Sequence, residues 1–308
     1  QSVHSDGDSN VAIGTNAMSD LTAGVWGSVA IGEGSLRRTN HADSVGSVAV
    51  GYNALTANVS GIGNTAIGFD ALKSEDDGDY NTAVGYEALE DQTGVSGAVR
   101  NTAMGYRAGA NITTGTKNVI IGAAAGNTTT DVDNTVIIGN AAGYNGNMTS
   151  DADGTVLIGA EAGTGITSGI ANTAIGYEAL KVEDDGDHNT AVGYQALKNQ
   201  TGTSGTVGNT AMGFAAGESV LTGRFNTFIG GNSGQKGSGS AVDENAALGY
   251  AALKQLNSGS RNTALGTAAG QLFQNASDIV AVGYYTLANA GASTDIDGCV
   301  AVGTYSQA

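Results

Sequence analysis

One glycine recurs throughout this chain of 308 residues, always directly after an aliphatic residue, at spacings of 17 to 20 residues. From Gly14 to Gly303 it marks 17 units. A fixed period of this size is the signature of a solenoid, in which each unit is one coil that buries its apolar face only against its neighbours. A longer duplication lies over the short one. Residues 64–108 and 172–216 agree at 33 of 45 positions, at an offset of 108 that equals six units.

Aligned on that glycine, each column has a physical reading. The preceding residue is aliphatic in all 17 units, and two residues earlier stands Thr or Val in 16 of them, Ala246 being the exception. Alanine lies between them in 13 units, with Ile120, Ile137, Leu157 and Phe228 in the others. Period-two alternation with β-branched enrichment predicts a short strand. Its outer columns are expected on one buried face. Asparagine opens the strand in 11 units, among them Asn64, Asn81, Asn101, Asn172, Asn189 and Asn209, and stacked amides are expected to bond coil to coil. The glycine allows a sharp corner where a Cβ would clash.

After the corner comes Tyr-x-Ala-Leu, as at Tyr86–Leu89, or a version ending in Ala-Gly, as at Ala108–Gly109. Alanine, leucine and glutamate favour helix, but about four residues precede the next turn and an isolated helix needs ~12. The segment is therefore expected to be a second extended piece, giving two strands per coil. The fold class is all-β: a parallel β-solenoid of about 17 coils, forming one domain over residues 1–308 with coils at about 10–303. At about 4.8 Å per coil this makes a rod of roughly 80 Å.

Composition fits a thin core. There are 50 glycines, no prolines, 6% aromatics and 13% charged residues. The absence of proline suits a chain in which most strands donate to a ladder. One cysteine, Cys299, excludes an intrachain disulfide framework and, with three histidines, any Cys–His zinc cluster. A buried free thiol is expected there, with interchain bonding as the alternative. The net charge of −17 argues against nucleic acid and anionic membranes as partners, and no apolar run is long enough to insert into a membrane. So little apolar bulk per coil predicts side-by-side association into an oligomer.

The motif Ser-Val-Ala-Ile-Gly (Ser28–Gly32) resembles the head repeats of trimeric autotransporter adhesins. The fuller Asn-Thr-Ala-Ile-Gly-Tyr-x-Ala-Leu (Asn172–Leu180) is similar to repeats of phage tail fibres and related surface-fibre proteins. The resemblance spans about Asn10 to Gly303. It implies left-handed parallel β-rolls associated as a homotrimer, an extracellular, cell-surface or virion location, and attachment rather than catalysis. Units here exceed the adhesin repeat in length, and no coiled-coil stalk, anchor or self-cleaving chaperone is seen.

Outward features supply the candidate sites. Glu75-Asp76-Asp77-Gly78-Asp79 recurs as Glu183-Asp184-Asp185-Gly186-Asp187, and further carboxylates pair at Asp131/Asp133, Asp151/Asp153 and Asp295/Asp297. Clustered carboxylates around a glycine can bind calcium, so Asp76, Asp77, Asp79, Asp184, Asp185 and Asp187 are the metal candidates. The EF-hand pattern is absent, and acidic turns also simply keep a fibre soluble. The aromatics after the corner, including Tyr86, Tyr106, Tyr177 and Tyr194, could line a glycan-binding stripe. The other reading has them stacked between coils and packed on the leucines. The threonine column could form an ice-binding face, but its sharing with valine favours a buried ladder. His4, His41 and His188 are scattered, and no nucleophile constellation recurs, so an enzyme is not expected. Two readings remain for the role. One is a shaft segment of a receptor-binding fibre. The other is a subunit stacking head-to-tail into a filament through uncapped ends, since only residues 1–9 and 304–308 flank the coils.

Overall fold

The computed structural model describes residues 9–20, 25–39, 45–93, 96–201, 204–236, 242–289 and 296–306. His4, His41 and Asp295 lie outside the described residues. The chain divides into two compact units, Gln1–Gly154 and Thr155–Ala308. Each is a parallel β-solenoid. The first contains eight corner-preceding strands, Val11–Ile13 through Val136–Ile138, and the second nine, Val156–Ile158 through Val300–Val302. Together they delimit about 16 turns of chain. A single 3₁₀ turn at Ser150–Ala152 is the only helical element among the described residues.

Every corner-preceding strand is three residues long, and identical columns pair in register. Thr65, Ala66 and Ile67 face Thr82, Ala83 and Val84 in parallel, and the second unit repeats this with Thr173, Ala174 and Ile175 on Thr190, Ala191 and Val192. Backbone groups point alternately to the coil before and the coil after. Gly68 N–H donates back to Val50 O at 2.8 Å, while Thr65 N–H donates forward to Asn81 O at 2.8 Å. The corner glycine is obligatory. Gly68 has φ +142°, and a Cβ there would collide with the carbonyl of Gly85.

Two expectations are corrected. The first concerns the Tyr-x-Ala-Leu piece, which is not a second strand but a tight turn with alternate residues in the left-handed region. Asp70 has φ +52° and Leu72 +49°; Glu87 and Leu89 repeat the pattern at +52° and +50°. Left-handed backbone costs a non-glycine residue roughly 1–2 kcal/mol. Full burial of a leucine contributes roughly 1.5–3 kcal/mol, and the geometry adds an inter-coil bond, Leu72 N–H to Ala88 O at 3.0 Å. Burial therefore wins. Additional pairing among the described residues lies in the loops that lead into the strands, at Gly78–Asp79 with Gly97–Ala98, Gly186–Asp187 with Gly205–Thr206, and a single bridge between Trp26 and Val45.

The second correction reverses the strand faces. The central alanine points inward and is buried in every strand after the first, while the Thr/Val and aliphatic columns point outward; Ile67 is 40% and Met104 48% exposed. The core is the space between strand alanine and turn leucine, as in Ala66 with Leu72. Where the strand brings a large residue inward, as at Ile137, Leu157 and Phe228, the turn of the same coil ends in glycine at Gly143, Gly163 and Gly234. In these coils bulk on the strand takes the space that a turn leucine fills elsewhere.

Candidate functional site

The outward side of the strands is the feature most available for function. None of the Thr/Val and aliphatic side chains in the 17 strands is charged, on a chain of net charge −17. The threonine ladder that sequence placed in the core lies on this surface. Because Val119, Val136 and Val156 interrupt it, the face is apolar rather than a continuous hydroxyl plane.

Just past the corner stands the aromatic column. Tyr52, Phe69, Tyr86 and Tyr106 form one unbroken stack with centroids 5.1, 5.0 and 5.5 Å apart. In the second unit Tyr177, Tyr194 and Phe214 stack at 5.3 and 5.4 Å. The expected stacking between coils is present; packing on the leucines is not, because those lie inside the coil while the rings stand exposed. Each ring inside a stack has its faces covered by its neighbours and offers solvent only an edge. A sugar seeking a ring face finds none there.

Beside the rings runs a charged column. Lys73 Nζ bridges Asp70 (2.9 Å) and Glu90 (3.2 Å), and Arg107 pairs with Glu87 at 3.2 Å. In the second unit Lys181 contacts Glu161 and Glu178, and Lys198 contacts Glu178 at 2.6 Å. These cations, Lys181 first, pull the Glu178 carboxyl down to about 2.

The acidic turns are more structural than sequence suggested. Asp79 and Asp187 accept backbone N–H bonds from Ile62 (2.8 Å) and Ile170 (2.9 Å) of the preceding coil. The same column repeats with Asp133, Asp153, Asp243 and Asp297, each accepting an N–H from the coil before. Asp77 accepts the Ser60 hydroxyl at 2.6 Å, and Asp76 accepts the N–H of Asp77. Asp184 accepts the N–H of Asp185 at 2.9 Å. Carboxylate oxygens of Glu183, Asp184 and Asp185 lie within 4.8 Å of one another, the tightest acidic group among the described residues and the one set able to hold a cation. Its Glu183 is already engaged with Gly186 N–H and Gln200 Nε2.

Glu75 and Glu183 are fully buried, which the surface reading of these turns missed. A signal was present: counted from the turn residue, both share a column with Ile112, Ile166, Val220, Leu256 and Phe273, all buried. Glu75 Oε1 accepts Gly78 N–H at 2.7 Å and Oε2 accepts Asn81 Nδ2 at 3.2 Å. Burial nevertheless pushes its carboxyl up to about 7, and burial raises Glu183 as well.

The asparagine ladder is buried and runs unbroken from Asn64 to Asn118 and from Asn172 to Asn262, with a different pattern from the one expected. Asn64 Oδ1 accepts the backbone N–H of Asn81 (2.8 Å), Asn81 serves Asn101 (2.9 Å), and Asn101 serves Asn118 (2.9 Å). Asn172, Asn189 and Asn209 repeat this in the second unit. Among the described residues, amide-to-amide bonds within the column join Asn209, Asn226, Asn245 and Asn262. Elsewhere Nδ2 turns to the loop, as from Asn101 to Gly115 O at 2.6 Å. Cys299 ends the column half-buried rather than buried, as a free thiol.

A shallow cavity of about 300 Å³ in the second unit is lined by Ser219, Lys236, Gln255, Asn257 and Gln274, with neither carboxylate nor imidazole. His188 is exposed in its turn. No helix among the described residues is long and apolar enough to cross a membrane. No family model matches the chain, and no curated protein matches it.

Proposed function

We propose that this chain is a non-enzymatic segment of an extracellular or virion surface fibre that mediates attachment, and that three copies associate through the outward face of the strands. The observation that carries the reading is the charge-free Thr/Val and aliphatic face, repeated rung after rung on a strongly acidic chain. Two copies of such a chain repel each other through every charged surface, so the uncharged face is where they meet at least cost. Exposed apolar area in contiguous rows also marks an interaction surface. The resemblance of Ser28–Gly32 and Asn172–Leu180 to fibre repeats supports the same role.

Mass photometry on the 308-residue chain tests this. Three-chain particles are expected, and Ile67→Lys with Ile175→Lys should give folded single chains. A monomer in the unsubstituted protein, or trimers that survive both lysines, would overturn it.

A further inference from the structure

The aromatic column of the second unit is interrupted between Phe214 and Tyr284 at two rungs, by Gly231 and by Thr267, and only at Gly231 does the interrupted rung carry no side chain at all. Phe214 ends the stack that begins at Tyr177, the next rung carries Gly231, and the rung after it carries Tyr250. Asn232 N–H to Phe214 O (2.7 Å) and Ala251 N–H to Gly231 O (2.9 Å) keep the three rungs in register. Phe214 and Tyr250 stand two coils apart, about 10 Å, which is twice the stacking distance within the column. At 56% and 58% exposure they are more open than Phe69, at 40%, inside the closed stack. The missing side chain leaves one rung of the column empty between the two rings.

The lining indicates what kind of ring. Phe214, stacked on Tyr194 on one side, turns its other face to the empty rung, and Tyr250 brings its ring to 3.4 Å from where a Cβ on Gly231 would stand; both rings suit C–H groups. The mouth is polar: Asn232 has an amide with no hydrogen-bond partner among the described residues, and Tyr250 brings a hydroxyl that donates and accepts. The flanking residues, Met212, Ile229, Leu248, Ala215 and Ala251, are uncharged. A ligand with C–H-bearing faces, a hydrogen-bonding rim and no charge is a neutral pyranose. An aromatic side chain from a protein partner would leave the polar mouth unused. We infer that Phe214, Gly231 and Tyr250 form a binding slot for one neutral hexose ring of a surface glycan. This rests on the reading of the chain as an attachment fibre and supplies its ligand class.

Gly231 also provides a direct test. It lacks a left-handed φ, and an added Cβ would meet nothing nearer than Tyr250 Cδ2 at 3.4 Å, so Gly231→Tyr can refill the rung without backbone strain. Saturation-transfer NMR would use the methyl glycosides of glucose, galactose, mannose and N-acetylglucosamine, with p-cresol as the aromatic comparison. Transfer to ring protons of at least one glycoside is expected. Binding should weaken at least about threefold in Phe214→Ala and Tyr250→Ala, be lost in Gly231→Tyr, and persist in Tyr86→Ala. If Gly231→Tyr fails to fold, the two alanine variants decide. No transfer from any of the four glycosides, transfer indifferent to these substitutions, or binding of p-cresol alone would overturn the slot. Trimer mass is read independently, so a failed slot leaves the fibre reading measurable.

Discussion

Phe228 occupies the space that a side chain at Gly234 would need: a Cβ on the glycine would stand 2.7 Å from Cγ of the ring. Both residues belong to one coil, and other coils solve the same volume problem the other way, with Ala191 or Ala247 on the strand and Leu197 or Leu253 in the turn. In these coils bulk is exchanged between the two walls of the core.

That trade is testable. Phe228→Ala alone should cost about 3–5 kcal/mol by leaving a cavity. Adding Gly234→Leu, which reproduces the Ala-and-Leu coil seen at Ala66 and Leu72, should recover a substantial part. Equilibrium denaturation of the single and double variants decides, and a double variant no more stable than Phe228→Ala would show that the walls are not interchangeable.

The corner has no such alternative. Gly68→Ala meets both a φ of +142° and the Gly85 carbonyl. Strained backbone alone costs about 1–3 kcal/mol, and the collision adds to it. A fall in melting temperature of several degrees or failure to fold is expected, against a smaller fall from Gly27→Ala, where the φ of +61° strains the backbone but the added Cβ meets nothing within 4 Å.

Glu75 makes stability pH-dependent with a definite sign. Its folded carboxyl titrates at about 7 and its ordinary value is 4.5, so between those values the folded chain keeps a proton that the unfolded chain has released. This contribution is fully present below pH 4.5 and is lost as pH rises to about 7, a decline of roughly 3 kcal/mol. Asp76 is the charged neighbour that adds to the effect of burial. Glu178, held at about 2, acts oppositely: its ion pairs stabilise above the ordinary value and are lost as pH falls through about 2. Melting temperatures should therefore peak in mildly acidic buffer, and Glu75→Gln should flatten the decline. An unchanged slope in that variant would remove Glu75 from the account.

Asn101 joins three structural elements through one amide, accepting from Asn118 N–H and donating to Gly115 O and Gln92 Oε1. Asn101→Leu keeps the volume and strands buried polar groups, each costing about 1–3 kcal/mol. Destabilisation should exceed that of Thr102→Val on the outer face, compared by denaturant midpoint.

The sequence by itself determined the repeat, the strand before each glycine and the parallel register, because identical columns can stack only on themselves. It also determined the corner, since only glycine combines that φ with so close a neighbouring carbonyl. Which side of the strand is inside was not legible. Thr, Ala and Ile are all compatible with burial, so a period of two gives two faces without ranking them. The choice belongs to the turn: left-handed Leu72 and Leu89 swing inward and leave room opposite for alanine only. The same closure put Glu75 beside Asn81 in the core and turned Asp79 into a backbone acceptor, relations between coils that no single unit of sequence contains. The slot at Gly231 arises likewise, from what the rungs on either side place next to a missing side chain.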